Sequence, residues 1–561
     1  MSSGMSARQR VHMLQAMEKE AYDLLIIGGG ITGAGIALDA QTRGLKTALL
    51  EMQDFASGTS SRSTKLVHGG LRYLKQGKVK MVAEVGRERT IVYENGPHVT
   101  QPEWMLLPFY EGGTFGPLST SLGLWLYDRL AGVKGVERRR MLNVEETLEL
   151  VPSLKKEGLR GSGLYVEYRT DDARLTIEVL KSAVVYGAEM VNYTKVVQLR
   201  YEENRVVGVV AEDQLTGEQY EINAKKIVNA TGPWVDYLRE MDGSKQGKTL
   251  HVTKGVHLVF DQGKFPLSHA VYFDTPDGRM VFAIPRDGKT YVGTTDTNYD
   301  GDYARPQMSE ADLNYLLRAV DYIFPELKIK PKDMESGWAG LRPLIHEEGR
   351  DPSEISRKDE IFISPSGLIS IAGGKLTGYR KMAENVVNQV VAQLQQIGFG
   401  EIGPCRTKEL PISGGEVGGS HGYSQFILQK CREGMDLGLT KEEAEYWINQ
   451  YGSNIDRLFQ IYRHFTAEQQ ASSLDGEISI PLNILVPLQY GMEYEMVVKP
   501  SDFLIRRSGA LLFNIEMVQQ WKEQIIDYMA AYLHWSKEVQ QNYRDELMTE
   551  LEAVVSAVPT S

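Results

Sequence analysis

The chain is poor in the residues on which small secreted scaffolds depend. Two cysteines occur in 561 residues, Cys405 and Cys431, and neither belongs to a C-x-x-C pair. That excludes a disulfide framework and points to a reducing compartment, the cytoplasm. Long apolar runs are missing as well. No stretch of 18 consecutive apolar residues exists, so no spanning helix is expected. The opening residues, MSSGMSARQRVHMLQAMEKE, carry no apolar core of signal-peptide length, and a secretory signal is not expected. Positive charge is in deficit: the formal net charge is −12. Nucleic acid is therefore not expected as a partner, and any local cluster of Arg and Lys becomes a candidate anion site. The ten histidines are scattered without metal-ligand spacing, so no metal site is predicted.

What is present is glycine and a strand–turn–helix signal. The 55 glycines exceed the usual share of about 7%, which implies tight turns or close backbone approaches. In AYDLLIIGGGITGAGIALDAQTRGLKTALLEMQD (residues 21–54), an apolar strand at 23–28 meets a small-residue helix at 32–43. Gly44 suits the helix C-cap, and a second strand runs over 46–52. Gly28, Gly30 and Gly33 fit G-x-G-x-x-G in that context. Such glycines permit the tight turn, the approach of a pyrophosphate to the helix N-terminus, and close helix–strand packing. Glu51, twenty-one residues after Gly30, ends the second strand and can accept hydrogen bonds from a ribose. FAD and NAD share this fingerprint. Its place at the N-terminal end of the chain, the hydroxyl run Ser57, Thr59, Ser60 and Ser61, and the turn Ala230-Thr231-Gly232 tilt the reading toward a flavin.

Further along, Arg286-Asp287-Gly288-Lys289 is a hairpin signal, and residues 361–374 give two strands and a glycine turn. Beyond about residue 405 the patterns become helical. Thr440 to Glu443 forms a capping-box motif. Ile455, Leu458, Phe459 and Tyr462 form one helical stripe, and Val518, Trp521, Ile525, Tyr528 and Tyr532 form another. At about 150 residues per domain, 561 residues allow three or four domains.

IIGGGITGAGIALDAQTRG (26–44) and GGKLTGYRKMA (373–383) resemble the two signatures of FAD-dependent glycerol-3-phosphate dehydrogenases. SSRSTKLVHGGLRYL, IVNATGPW, KGVHLVF, GLRPL and ISRKDEI resemble further blocks of that family in the same order. The resemblance implies an α/β flavoprotein with a FAD-binding Rossmann-like domain, an interleaved β-rich substrate domain and a helical C-terminal domain. The expected boundaries are 20–95, 165–255 and 335–395 for the FAD-binding domain, 96–164 and 256–334 for the substrate domain, and 396–561 for the helical domain.

The implied reaction is oxidation of sn-glycerol 3-phosphate to dihydroxyacetone phosphate, with hydride passing to flavin N5 and electrons leaving to a membrane quinone. Gly28, Gly30, Gly33, Glu51, Ser57, Thr59, Ser60, Gly232, Gly374 and Thr377 are the expected FAD contacts. The family's substrate-binding cations fall on Arg72, Arg342, Arg357 and Lys375. Arg offers a planar fork to phosphate and Lys a point charge. His257 is the first candidate for the base that takes the C2 hydroxyl proton, Arg342 the candidate stabiliser of the developing alkoxide, and His68 the second candidate base. Residues 114–131, with Trp125 and Leu126, could rest on a bilayer as an interfacial element, which places the protein in the cytoplasm or peripherally on the inner face of the cell membrane. A homo-oligomer is compatible with all of this. An oxidase that uses oxygen, an NAD-dependent dehydrogenase and a non-redox nucleotide-binding protein are the rival readings.

Overall fold

The computed structural model describes residues 4–68, 79–113, 116, 120–121, 123–126, 138–347, 358–471 and 480–560. Two sheets organise them. The strand Ala21–Ile27 contains the run Leu24-Leu25-Ile26-Ile27, apolar without alternation, which suits a parallel strand covered on both faces. It lies parallel to Thr47–Leu50 on one side and to Gln219–Asn229 on the other. The sheet runs Glu360–Ile363, Ile369–Ala372, Gln219–Asn229, Ala21–Ile27, Thr47–Leu50, Glu189–Val191. The antiparallel pair Thr194–Glu202 and Arg205–Asp213 is attached to Gln219–Asn229.

The helix Ile31–Thr42 connects the first two strands and is buried on nearly every face. It packs between the helices Asp172–Val185 and Tyr379–Gln396. Gly35 allows that approach, since a Cβ there would stand 3.0 Å from the Tyr379 ring and 3.2 Å from Ala383.

The second sheet has ten strands. Its long strand Lys248–Asp261 pairs antiparallel with Met334–Glu347 and with Lys289–Gly293. Thr100–Tyr110 pairs with Leu159–Thr170 farther along. Asp287 and Gly288, at φ 51° and 75°, join Met280–Arg286 to Lys289–Gly293, the two-residue turn that the local sequence predicts. Met334–Glu347 belongs to this second sheet, although the sequence boundaries assign residues from 335 onward to the first unit. Strand partners are chosen by packing at long range, which local patterns do not carry.

After residue 405 come the helices Gly419–Asp436, Lys441–Tyr451, Ile455–Ala471, Leu482–Tyr494, Ile515–Leu533 and Lys537–Val555. Thr440 and Glu443 form the expected reciprocal cap, with Glu443 N donating to Thr440 Oγ1 at 3.2 Å and Thr440 N to Glu443 Oε2 at 2.9 Å. Ile455, Leu458 and Phe459 are buried as their spacing predicts. No helix among the described residues is long and apolar enough to cross a membrane. A short helix, Arg10–Lys19, precedes the first strand and is not foreseen from the sequence patterns.

Candidate active site and cofactor cradle

The turn after Ala21–Ile27 is shaped by what its glycines leave out. Gly28 sits at φ 113°, and a Cβ there would lie 2.5 Å from the Ala230 carbonyl oxygen. A Cβ on Gly33 would lie 1.9 Å from the Gly28 carbonyl oxygen, so Gly33 packs the helix onto the turn. Glu51 accepts hydrogen bonds from Gly29 N at 2.7 Å and Gln53 N at 2.8 Å. Burial raises its pKa, and these two donors only partly oppose the rise. Ser60 Oγ accepts from Ile31 N at 2.9 Å at the helix start.

A cavity of about 630 Å³ opens over this turn, within the range of small-molecule sites. Gly28, Gly30, Glu51, Ser57, Thr59, Ser60, Gly232, Gly374 and Lys375 all line it. The hydroxyls also brace the wall: Ser57 Oγ donates to Asp54 O at 2.6 Å and Thr59 Oγ1 to Leu341 O at 2.8 Å. Gly33 and Thr377 stand behind the wall rather than in it, and Thr377 Oγ1 donates to His68 O at 3.2 Å.

Sequence reasoning missed one end of the cavity. Thr194, Lys195, Val196 and Gln214 form the wall beyond Glu51. Thr194, Lys195 and Val196 open the Thr194–Glu202 strand and Gln214 follows the Arg205–Asp213 strand, and neither segment's composition carries a nucleotide signal. Trp234, Tyr237, Ala304 and Pro343 line the cavity as well, and of these only Trp234 and Pro343 lie in the family-like blocks.

His257 and Arg342 belong to neighbouring strands of the second sheet. The register sets His257 against Trp338 and Thr253 against Arg342, so both side chains project from one sheet face. The His257 ring stacks on Trp338 with centroids 4.6 Å apart, and its Nε2 is 3.0 Å from Thr64 Oγ1. Burial, with Arg342 and Lys65 adding to it, holds the imidazole well below its ordinary pKa and therefore neutral at pH 7. Arg342 donates to Thr294 Oγ1 at 2.9 Å, Thr295 O at 3.2 Å and Asp296 Oδ1 at 3.2 Å.

Pro343, the residue after Arg342, reaches the cavity wall, and His257 does not. His68 is partly buried, with its ring edge-on to Phe282. Arg72 and Arg357 lie outside the described residues. In the 114–131 segment the described residues include Leu124, which is buried, and Trp125, which is 48% exposed. No group of three or more metal-ligating side chains occurs among the described residues.

A sheet with a parallel centre opened by a glycine turn, an acid at the end of its second strand and a cavity reaching a second sheet define a dinucleotide-binding α/β protein. The chain belongs to the FAD dependent oxidoreductase family, whose model matches residues 23–380. Residues 405–540 match the C-terminal domain of alpha-glycerophosphate oxidase. The chain is 59% identical over 547 residues to the aerobic glycerol-3-phosphate dehydrogenase of Bacillus subtilis, covering 98% of each. It is 54% identical to the Staphylococcus haemolyticus protein of the same name, over 98% of this chain and 97% of that one. Among solved structures, the glycerol-3-phosphate dehydrogenase from Bacillus halodurans complexed with FAD superposes with a TM-score of 0.85 at 49% identity, covering 99% of this chain and 100% of that one. FAD fits the cradle, because Gly28 and Gly30 at the helix start and the carboxylate of Glu51 line one cavity and answer to a dinucleotide's pyrophosphate and ribose.

Proposed function

We propose that this protein oxidises sn-glycerol 3-phosphate to dihydroxyacetone phosphate and delivers the electrons to a membrane quinone. The observation that carries this reading is the continuous cavity from the Gly28–Glu51 cradle to Lys375 and to Pro343, next in the chain to Arg342. Gly28, Gly30, Glu51 and Gly232 would hold FAD, which when bound supplies the hydride acceptor. Lys375, with Arg72, Arg342 and Arg357, would bind the phosphate and orient C2. His257, neutral at pH 7, would take the C2 hydroxyl proton, and Arg342 would stabilise the charge developing on that oxygen.

Anaerobic addition of glycerol 3-phosphate to the purified protein tests the reading: the flavin band bleaches, and an unchanged band would overturn it. The C-terminal match to an alpha-glycerophosphate oxidase domain supports a second reading, with oxygen as acceptor. Oxygen uptake with glycerol 3-phosphate, set against reduction of a soluble quinone, separates the two. Attachment to the membrane through residues 114–131 predicts that Trp125→Asp with Leu126→Asp reduces flotation with liposomes.

A further inference from the structure

The helix Arg10–Lys19 lies ahead of the matched family region, which begins at residue 23. Its first residue, Arg10, is only 2% exposed. Arg10 Nε and Nη2 donate to Asn192 O at 3.0 and 2.7 Å. Nη2 donates also to Tyr193 O at 3.0 Å and Thr194 Oγ1 at 3.1 Å, and Nη1 donates to Asp213 Oδ2 at 2.8 Å. The guanidinium thus closes on the turn at Asn192–Thr194 and on the end of the Arg205–Asp213 strand.

That turn is bonded to the cofactor cradle. Glu51 N donates to Val191 O at 3.0 Å, Tyr193 N to Gln53 O at 2.7 Å and Thr194 N to Glu51 O at 2.6 Å. Tyr193 adopts φ 51°, a conformation that a side-chain-bearing residue keeps only where its surroundings impose it. Thr194 and Gln214, next to Tyr193 and Asp213 in the chain, line the cavity beyond Glu51. The N-terminal segment is itself pinned from the C-terminal side. Met496 N donates to Met5 O at 2.7 Å, and Arg8 lies over the Tyr532 ring at 3.7 Å while donating to the Tyr532 carbonyl.

We propose that Arg10 is a positioning residue for the adenosine half of FAD: the N-terminal helix is a clasp that holds the Asn192–Thr194 turn against Glu51. The inference rests on the FAD reading above. A planar guanidinium sets its five N–H donors in a fixed fork that spans several carbonyls in one plane, whereas an ammonium on its flexible stem has three donors and no such fixed geometry. Wall atoms held before binding cost the ligand less to meet.

The test uses full-length holoenzyme with Arg10→Ala and Arg10→Lys, following free FAD fluorescence after dilution. Arg10→Ala releases FAD at least tenfold faster than wild type, Arg10→Lys falls between the two, and the flavin absorption band keeps its wild-type shape at saturating FAD. The loss appears in the KM for FAD rather than in kcat. Wild-type release rates in both variants would overturn the proposal. So would a flavin band altered together with the release rate, because that marks general loosening. If Arg10→Ala fails to fold, Arg10→Lys carries the same test with the same overturning results. Flavin liberated from wild-type protein by boiling checks the underlying reading separately from the variants.

Discussion

Gly255 and Gly293 leave the room in which Arg342 and His257 stand. A Cβ on Gly255 would lie 2.3 Å from Arg342 Nη2, and one on Gly293 would lie 2.1 Å from His257 Cδ2. Gly255→Ala therefore displaces the guanidinium while the Gly28 cradle stays intact. Its kcat/KM for glycerol 3-phosphate is expected to fall at least about tenfold, the scale set by losing about 1.4 kcal/mol of transition-state stabilisation. A flavin content equal to wild type, read from absorbance, separates this from unfolding.

His257 gives the second prediction at this scale. A general base contributes about 10²–10⁴ in rate, so His257→Asn should slow flavin reduction in stopped flow at least about 100-fold. The sign of the pH dependence follows from burial and the nearby cations, which lower the pKa of His257. The neutral, proton-accepting form persists as pH falls through 6.5, so reduction by substrate shows no histidine inflection between about pH 6 and 8. An inflection near 6.5 that vanishes in His257→Asn would contradict the assigned environment.

At the scale of the element, the strand–turn–helix unit is the part most legible in the sequence. Its determinants are contiguous: an apolar strand, three spaced glycines and an acid at the next strand end, each acting within one βαβ unit. The structure returns these features, and the same locality makes Gly33→Ala severe. The added methyl meets the Gly28 carbonyl oxygen at 1.9 Å, both atoms belong to backbone-fixed segments, and the helix Ile31–Thr42 must move off the turn. Purified Gly33→Ala should be close to colourless, with a far-ultraviolet circular dichroism spectrum near that of wild type. Full flavin content would refute the packing argument.

The Thr194–Val196 wall was not legible. Its residues reach the cavity because Glu189–Val191 pairs with Thr47–Leu50 across more than a hundred residues of chain, and nothing in their own pattern records that neighbour. The partner of Met334–Glu347 escaped for the same reason. The hairpin at Asp287-Gly288 and the cap at Thr440 were readable because their chemistry is complete within four residues.

At the scale of the whole molecule, the C-terminal helices are joined to the cofactor half by buried charge. Asp54, three residues beyond Glu51, is fully buried and accepts from Arg506 Nε at 2.5 Å, Arg507 Nη1 at 2.7 Å and Arg507 Nη2 at 2.9 Å. Asn192 Nδ2 donates to Asp54 Oδ1 at 3.1 Å. A second knot ties Glu495 to Arg174 and Lys181. These pairs span more than 300 residues of sequence, so no local pattern announces them.

Burial alone would raise the pKa of Asp54, but Arg507 and Arg506 overcome it and hold the carboxyl at about 2, below its ordinary 3.8. Glu495 is likewise held at about 2, with burial opposed by Arg174 and Lys181. Asp502 goes the other way, raised by burial and by Asp54, so its protonation does not drive acid unfolding. A depressed carboxylate contributes stability that is complete above its unfolded pKa and is lost as pH falls through the folded one. The window for Asp54 is therefore from about pH 4 down to about 2.

Breaking a buried pair by removing one partner costs about 3–5 kcal/mol, because the other charge stays buried. Asp54→Asn leaves Arg506 and Arg507 short of a counter-charge and should lose stability of that order at pH 7. Urea unfolding followed by tryptophan fluorescence at pH 7, 5 and 3 measures it. The gap between wild type and variant is expected to be equal at pH 7 and 5 and smaller at pH 3, where Asp54 of the unfolded wild-type chain takes up a proton that the folded chain still mostly refuses. A gap of unchanged size at pH 3 would mean that Asp54 is not held by the two arginines.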